Sequence, residues 1–276
     1  GVLVALLLPR RSAWSRACRA DIAALVITEQ NTTPARSAHH GQRHACGPDG
    51  HSAMRLGAAA HLEKTRNVDG TVHFIFQPDE EHGAGAQAMI DDGLFDRFAI
   101  DEVYGLHNMP GLAEGTFTVR PGSLMASESS FEIRIKGIGG HAAMPHRGVD
   151  PIVVGSQIIM ALQTITSRNL SAIEETAVVS ATEFITNGTV NVIPSEVTIK
   201  GDCRCFTDAS LNKIKTAMER IVAGTCQSAG ASYEFSFKNT FHSTINNPDQ
   251  TTKAIKVAQA VFGAENVVSD CVPLTI

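Results

Sequence analysis

Along the first hundred residues, apolar positions fall in short blocks divided by polar and glycine-containing stretches. Gly1–Leu8 is apolar without a cationic flank and reads as an internal strand rather than a leader peptide, so the chain is expected to begin within a domain. Asp21–Ile27 is a possible strand, diluted by alanine. Ser37–Asp49 is polar, with three His, two Gly and one Pro, and reads as loop. His51–Lys64 is predicted helical, with Met54, Gly57, Ala58, His61 and Leu62 on one face. Asp49 and Gly50 precede it, where a side-chain acceptor caps free amides. Thr71–Phe76 has the β-rich composition of a core strand. A loop over Gln77–Gly85, a helix over Ala86–Leu94 and a strand over Glu102–Leu106 follow, the last ending at His107. This alternation predicts a layered α/β domain with a mostly parallel sheet.

The pattern changes near Ser127. Phe131–Lys136, Ala177–Phe184, Val197–Phe206 and Ala231–Phe237 read as strands. Asp150–Ser167 and Ser210–Ser228 read as helices, the first opening on an Asp-Pro pair suited to a cap and a first turn. The order β-α-β-β-α-β is the ferredoxin-like arrangement. A helix over Asp249–Phe262 and a short strand over Asn266–Val268 close the chain. The expected organisation is an α/β part over 1–125, an inserted ferredoxin-like domain over 126–238, and a return segment over 239–276 that leaves the α/β domain incomplete.

Composition narrows the class. Of 276 residues, 43% are hydrophobic and 18% charged, which excludes disordered and fibrous chains. A net charge of −5 without a Lys/Arg cluster argues against nucleic acid or an anionic membrane as partner. No apolar run approaches the roughly 20 residues that span a bilayer. Cysteines at 18, 46, 203, 205, 226 and 271 form neither a CxxC pair nor a disulfide ladder, which points to reduced thiols and a cytoplasmic setting.

Four segments carry possible chemistry. His44–His51 packs two His, a Cys and an Asp onto a glycine-containing loop entering a helix. These are donors that bind Zn²⁺ or Mn²⁺, and equally the contents of a capped polar loop with a buried thiol. Pro78–His82 places Glu80 and Glu81 just after a core strand, where parallel sheets bind ligands. Adjacent carboxylates can divide the roles of metal ligand and general base, or form a solvated acidic turn. His107 stands at another strand end, and Gly139-Gly140-His141 presents an imidazole after a flexible turn. Asn191 and Arg204 are further polar candidates, Arg204 as a bidentate partner of a carboxylate or as a surface charge paired near Asp202.

Together, HACGPDGH over His44–His51, FQPDEE over Phe76–Glu81, YGLHN over Tyr104–Asn108 and GGHAAMPH over Gly139–His146 resemble one family. It is the amidohydrolase branch of the metallopeptidases that includes hippurate hydrolase, N-acyl-amino-acid amidohydrolases and auxin-conjugate hydrolases, with a bacterial exopeptidase-type dimerisation domain. The likeness runs from about Asp21 to Val268. It implies two divalent metal ions (Mn²⁺, Zn²⁺ or similar), a metal-activated water and cleavage of the amide of an N-acyl amino acid. By position it implies Cys46, Glu81 and His107 as metal ligands, and Glu80 as general base. It implies His141 as oxyanion stabiliser, Asn191 and Arg204 as binders of the substrate's carboxylate end, and a homodimer formed through the inserted domain.

Three departures accompany the resemblance. The family motif HACGHDGH has a metal-binding His where this chain has Pro48, which carries no side-chain donor. His44 and His51 are the nearest imidazoles. The early acidic segment, usually ADMDALP, reads Ala20-Asp21-Ile22-Ala23-Ala24-Leu25-Val26, without an acidic residue at Ala23. The chain is also expected to be truncated at both ends relative to the family. A catalytically impaired fragment or non-catalytic relative, retaining the dimerisation domain and a carboxylate pocket, is therefore the alternative to an active hydrolase.

Overall fold

A computed structural model describes the backbone of Val4–Leu7 and residues 14–275. The chain divides between Glu114 and Gly115 into two compact units. In the first, strands Val4–Leu7 (β1) and Ser15–Asp21 (β2), helix Pro48–Thr65 (α1), strand Thr71–Gln77 (β3), helices Gly85–Asp91 (α2) and Leu94–Arg97 (α3) and strand Glu102–Gly105 (β4) follow in order. The sheet order is β1-β3-β2-β4. β2 runs parallel to both neighbours, and β1 pairs antiparallel with β3.

Every residue of β3 is buried, because the strand is covered on both faces. Val72, Phe74 and Phe76 pack with Trp14, Cys18, Ala59 and Leu62 on one side. Ile75 packs with Ala17, Met89 and Leu94 on the other. The predicted mostly parallel, layered arrangement is thus present.

Three local expectations are corrected. The second strand is Ser15–Asp21, not Asp21–Ile27. Its alanines Ala17 and Ala20 fit a fully buried central position, while Arg16 and Arg19 reach out to Glu102 and Gln77. The inner face of α1 carries His51 and Arg55, whereas Met54 is 46% exposed. Apolar periodicity misplaces this face because its buried members are polar and satisfied: Arg55 Nε donates to the Arg19 carbonyl at 3.2 Å. Asp49 does not cap the helix but lies inside its first turn, after Gly47 in a left-handed conformation.

In the second unit, Phe117–Thr118 (β5), Gly122–Met125 (β6), Ser127–Lys136 (β7), Gly140–His141 (β8), Pro151–Thr164 (α4), Ala177–Thr186 (β9), Val192–Ile193 (β10), Glu196–Cys205 (β11), Asp208–Ala229 (α5), Ser232–Phe241 (β12), Thr244–Asn246 (β13), Pro248–Phe262 (α6) and Val267–Val268 (β14) follow. The antiparallel sheet β12-β7-β11-β9, with α4 and α5 as its helices, is the expected ferredoxin-like topology. Phe131, Ile133, Ile135, Val197 and Ile199 alternate inward against Ile158, Leu162, Ile214 and Met218. Asp150 caps α4 by accepting the Ile152 amide.

By packing, residues 239–276 group with the second unit. The reason is strand pairing: β13 joins β6, and β14 joins β5. Among the described residues, no helix is long and apolar enough to cross a membrane.

Two predictions follow from packing and burial. A Cβ on Gly201 would lie 2.1 Å from the Ser180 carbonyl oxygen and 2.3 Å from the Phe131 ring. Gly201→Ala is therefore expected to lose roughly 1–3 kcal/mol in chemical denaturation, with unchanged stability contradicting this packing. His73 is 3% exposed, bonds Ser15 Oγ through Nε2 at 2.9 Å, and leaves Nδ1 without a partner. Burial pushes its pKa below the ordinary 6.5. The neutral ring is favoured in the folded state, so its stabilisation is complete above about pH 6.5 and is lost as pH falls through the lower folded value. The urea midpoint should drop between pH 7.5 and 5.5 more in the wild type than in His73→Gln; equal drops would refute this role.

Candidate metal centre

The C-terminal ends of β2, β3 and β4 bring the first unit's polar residues together, as the geometry of parallel sheets leads one to expect. Asp21 ends β2, the turn after β3 carries Glu80 and Glu81, and His107 follows β4. Asp79, with φ at +47°, turns the chain sharply after β3, and the Glu80 carbonyl accepts the Gly83 amide at 2.8 Å. Cys46 arrives on the loop before α1. Gly47, with φ at +96°, lets that loop pass against Asn108, where a side chain would collide with the Asn108 amide.

Cys46 is the hub. Its Sγ lies 3.5 Å from His107 Nε2, with the carboxylates of Glu81 and Glu80 close enough to act on it. His107 Nδ1 is 2.6 Å from the Asn108 carbonyl, which can only accept, so Nδ1 carries the proton and the Nε2 lone pair faces the thiol. Burial, and then the charges of Glu81, Glu80 and Asp21, raise the Cys46 pKa. Glu80 is also raised, by burial first and by the charges of Glu81 and Asp21, against the lowering influence of Arg19 and His107.

Beneath them, His51 and Asp21 form a pair, 2% and 1% exposed. His51 Nδ1 lies 2.7 Å from Asp21 Oδ1, and its Nε2 lies 3.1 Å from the Asn108 backbone amide and 2.5 Å from the Asn108 side-chain oxygen. The His51 ring lies 4.4 Å, centroid to centroid, from His107. His44 turns away, to the Ala23 carbonyl at 2.9 Å.

A divalent cation suits these donors in part. Thiolate, imidazole and carboxylate are the ligand types of Zn²⁺-like ions, and a ligating His commonly donates its other nitrogen to a backbone carbonyl, as His107 does. Glu81 Oε1 is buried without a hydrogen-bond partner, and three carboxylates crowd one thiol. Cys46, Glu81 and His107 are the residues that would hold one ion. Cys46 contacts His107, and among the described residues no group of three or more His, Cys, Asp or Glu is arranged to hold a metal. Position 48 is a buried proline in the first turn of α1, and His51 is committed to Asp21 and Asn108, so neither supplies the ligand the family has there.

The remaining sequence candidates lie in the second unit. His141 and Asn191 come together on the β8–β10 pair, where Val192 is in register with His141 and the Asn191 carbonyl accepts the Ala142 amide at 3.0 Å. His141 Nδ1 accepts the Ala143 amide at 3.1 Å, which leaves its other nitrogen as a donor. Arg204 lies apart from them in β11, with Glu128 at 3.1 Å and Asp202 at 2.9 Å. Sequence reasoning missed the roles of Asp21, His51 and Asn108. The signal available was the acidic residue ending an apolar segment, and a His one turn into α1.

Comparison with known proteins places this architecture. The model of Peptidase family M20/M25/M40 matches residues 17–275, and the chain belongs to that family. It is 44% identical over 216 residues to an N-acetyl-L-cysteine deacetylase of Bacillus subtilis, covering 78% of this chain and 50% of the relative. It is 37% identical to a hippurate hydrolase of Campylobacter jejuni over 90% of this chain and 64% of that protein. A crystal structure of a Bacillus subtilis protein, described as a dinuclear metal binding peptidase from the M20 family, superposes with a TM-score of 0.81 at 34% identity. That match covers 99% of this chain and 70% of the other. The chain thus spans half to two thirds of the length of the curated relatives it matches.

The Asp21–His51 pair gives a stability prediction. Removing one partner of a buried pair leaves an uncompensated charge and costs about 3–5 kcal/mol. His51→Ala should show a loss of that order in denaturant titration. His44→Ala, at an exposed site, should lose less than about 1 kcal/mol. Equal losses would contradict the assignment.

Proposed function

We propose that this chain belongs to a metal-dependent amidohydrolase acting on N-acyl amino acids. The observation that supports the reading best is the contact of Cys46 with His107, in the field of Glu81 and Glu80. Cys46, Glu81 and His107 would hold a divalent ion, Mn²⁺ or Zn²⁺ by family likeness. When bound, such an ion acts as a Lewis acid on the amide carbonyl and lowers the pKa of water.

The chain's own residues then divide the work. Glu80 takes a proton from the attacking water and delivers it to the leaving amine. Its raised pKa moves it toward neutrality, where one carboxyl group serves as both base and acid. His141 donates to the oxyanion through its free nitrogen, and Asn191 contributes to binding the substrate carboxylate. Arg204 joins that task only by exchanging Asp202 or Glu128 for the substrate, so Asn191 is the better supported of the two. The relatives' names, N-acetyl-L-cysteine deacetylase and hippurate hydrolase, support acyl-amino-acid substrates. A homodimer through the second unit is part of the proposal. Val153, Met160 and Phe184 are 53%, 71% and 37% exposed on α4 and on the edge strand β9. A cytoplasmic setting fits cysteines that are all free.

Pro48 favours a second reading, a catalytically impaired relative, because one family ligand is absent. Hippurate and N-acetyl-amino-acid hydrolysis with added Mn²⁺ or Zn²⁺ separates the two. The first reading predicts turnover that falls about 10²–10⁴-fold in Glu80→Gln with KM little changed. Absence of turnover in the purified chain, together with turnover gained by Pro48→His, would establish the second.

A further inference from the structure

A basic groove on the second unit lies outside everything assigned above. The helix α4 runs on into a π-helical turn over Ile165–Asn169, which packs against α5. Between them is a groove of about 560 Å³, lined by Arg168, Asn169, Asn212, Lys213, Thr216 and Arg220. On α5 the positions 212, 213, 216 and 220 share one face, while Leu211, Ile214 and Met218 point into the core. The groove is therefore a consequence of where the helix buries its apolar side. The π-helical turn sets Arg168 and Asn169 on its opposite wall.

The charges here are not balanced. Arg168 donates to the Ser167 carbonyl at 3.1 Å, and Arg220 to the Asn169 side-chain oxygen at 3.4 Å. Among the described residues, neither guanidinium forms an ion pair. Lys213 does, with Glu175 at 3.0 Å. Glu175 is held well below the ordinary carboxylate range, at about 2, by the Ser171 amide first and then by Lys213 and Ser210. Glu175 thus offsets Lys213 and leaves two guanidiniums uncompensated, in a chain whose net charge is −5. Glutamate-rich surroundings elsewhere pair such groups, as Glu132, Glu196 and Glu234 do for Arg134.

We propose that this groove is a binding site for a small oxyanion of the phosphate class, held by Arg168 and Arg220. Planar guanidiniums bond phosphate oxygens in pairs, and the Asn212 amide and Thr216 hydroxyl add neutral donors. Ala209 and Ala217 also line the groove, and the choice of a charged oxyanion rests on the two guanidiniums and their neutral donor neighbours rather than on its volume. The inference is independent of the amide-hydrolysis reading and survives its failure.

Inorganic phosphate titrated into the ¹⁵N-labelled protein at constant ionic strength is the test, with sodium chloride as the matched control. Saturable amide shifts are expected in residues 165–169 and 209–220. Arg168→Gln/Arg220→Gln should weaken the apparent affinity at least tenfold, and Arg220→Gln alone should weaken it measurably. Lys256→Gln, on α6, should leave it unchanged. Both arginines are exposed, and an unchanged spectrum outside the groove verifies that the variants fold. Shifts that rise linearly with phosphate, that chloride reproduces, or that persist in the double variant would overturn the proposal.

Discussion

The buried bond between His51 and Asp21 holds the first unit's polar edge in place. It ties the end of β2 to the first turns of α1, and through the other ring nitrogen it ties α1 to the backbone just after β4. Three segments far apart in sequence thus meet at one imidazole. In a site with almost no solvent, each of its nitrogens has a partner, which is the condition for burying such groups without a large penalty. Cys46, five residues before His51, and His107, one residue before Asn108, are set within reach of one another by this staple.

The electrostatics above the staple follow from the same convergence. Strand ends of a parallel sheet collect loops, and here those loops bring Asp21, Glu80 and Glu81 around one thiol, with Arg19 as the opposing charge at Glu80. Mutual repulsion and burial both push protons onto Cys46 and Glu80. Such a cluster is stabilised by any cation that enters it. The His107 ring, its proton fixed on the nitrogen facing the Asn108 carbonyl, turns an unprotonated nitrogen toward the thiol. Pro48 limits how many ions these residues can hold. The family position that would extend the donor set is occupied by a ring without a donor atom, packed into the start of α1.

How much of this was legible in the sequence depended on the kind of signal. The ferredoxin-like unit was readable because its strands alternate cleanly. The pattern of Ser127–Lys136, with Phe131, Ile133 and Ile135 inward and Glu132 and Arg134 outward, names both its secondary structure and its buried face. The first unit was less readable. β2 contains Arg16 and Arg19 and carries no apolar alternation, because a central strand between two layers is sized by Ala17 and Ala20. The first turns of α1 bury His51 and Arg55, so hydrophobic spacing met the inner face only farther along, at Leu62. Motifs located Cys46, Glu81 and His107, but no pattern in one dimension could show that His51 is a staple rather than a ligand. For Arg204 the sequence left a substrate carboxylate and a surface pairing near Asp202 open, and in the fold it is bound by Asp202 and Glu128.

The account rests on Cys46, Glu81 and His107 acting together on one cation. Cobalt(II) added to the metal-free chain reads this directly, since a coordinating thiolate gives an intense near-ultraviolet charge-transfer band that oxygen and nitrogen ligands do not. The account predicts a band that saturates at one equivalent and disappears in Cys46→Ser. A wild-type chain that shows no such band, or a Cys46→Ser variant that retains it, would contradict it.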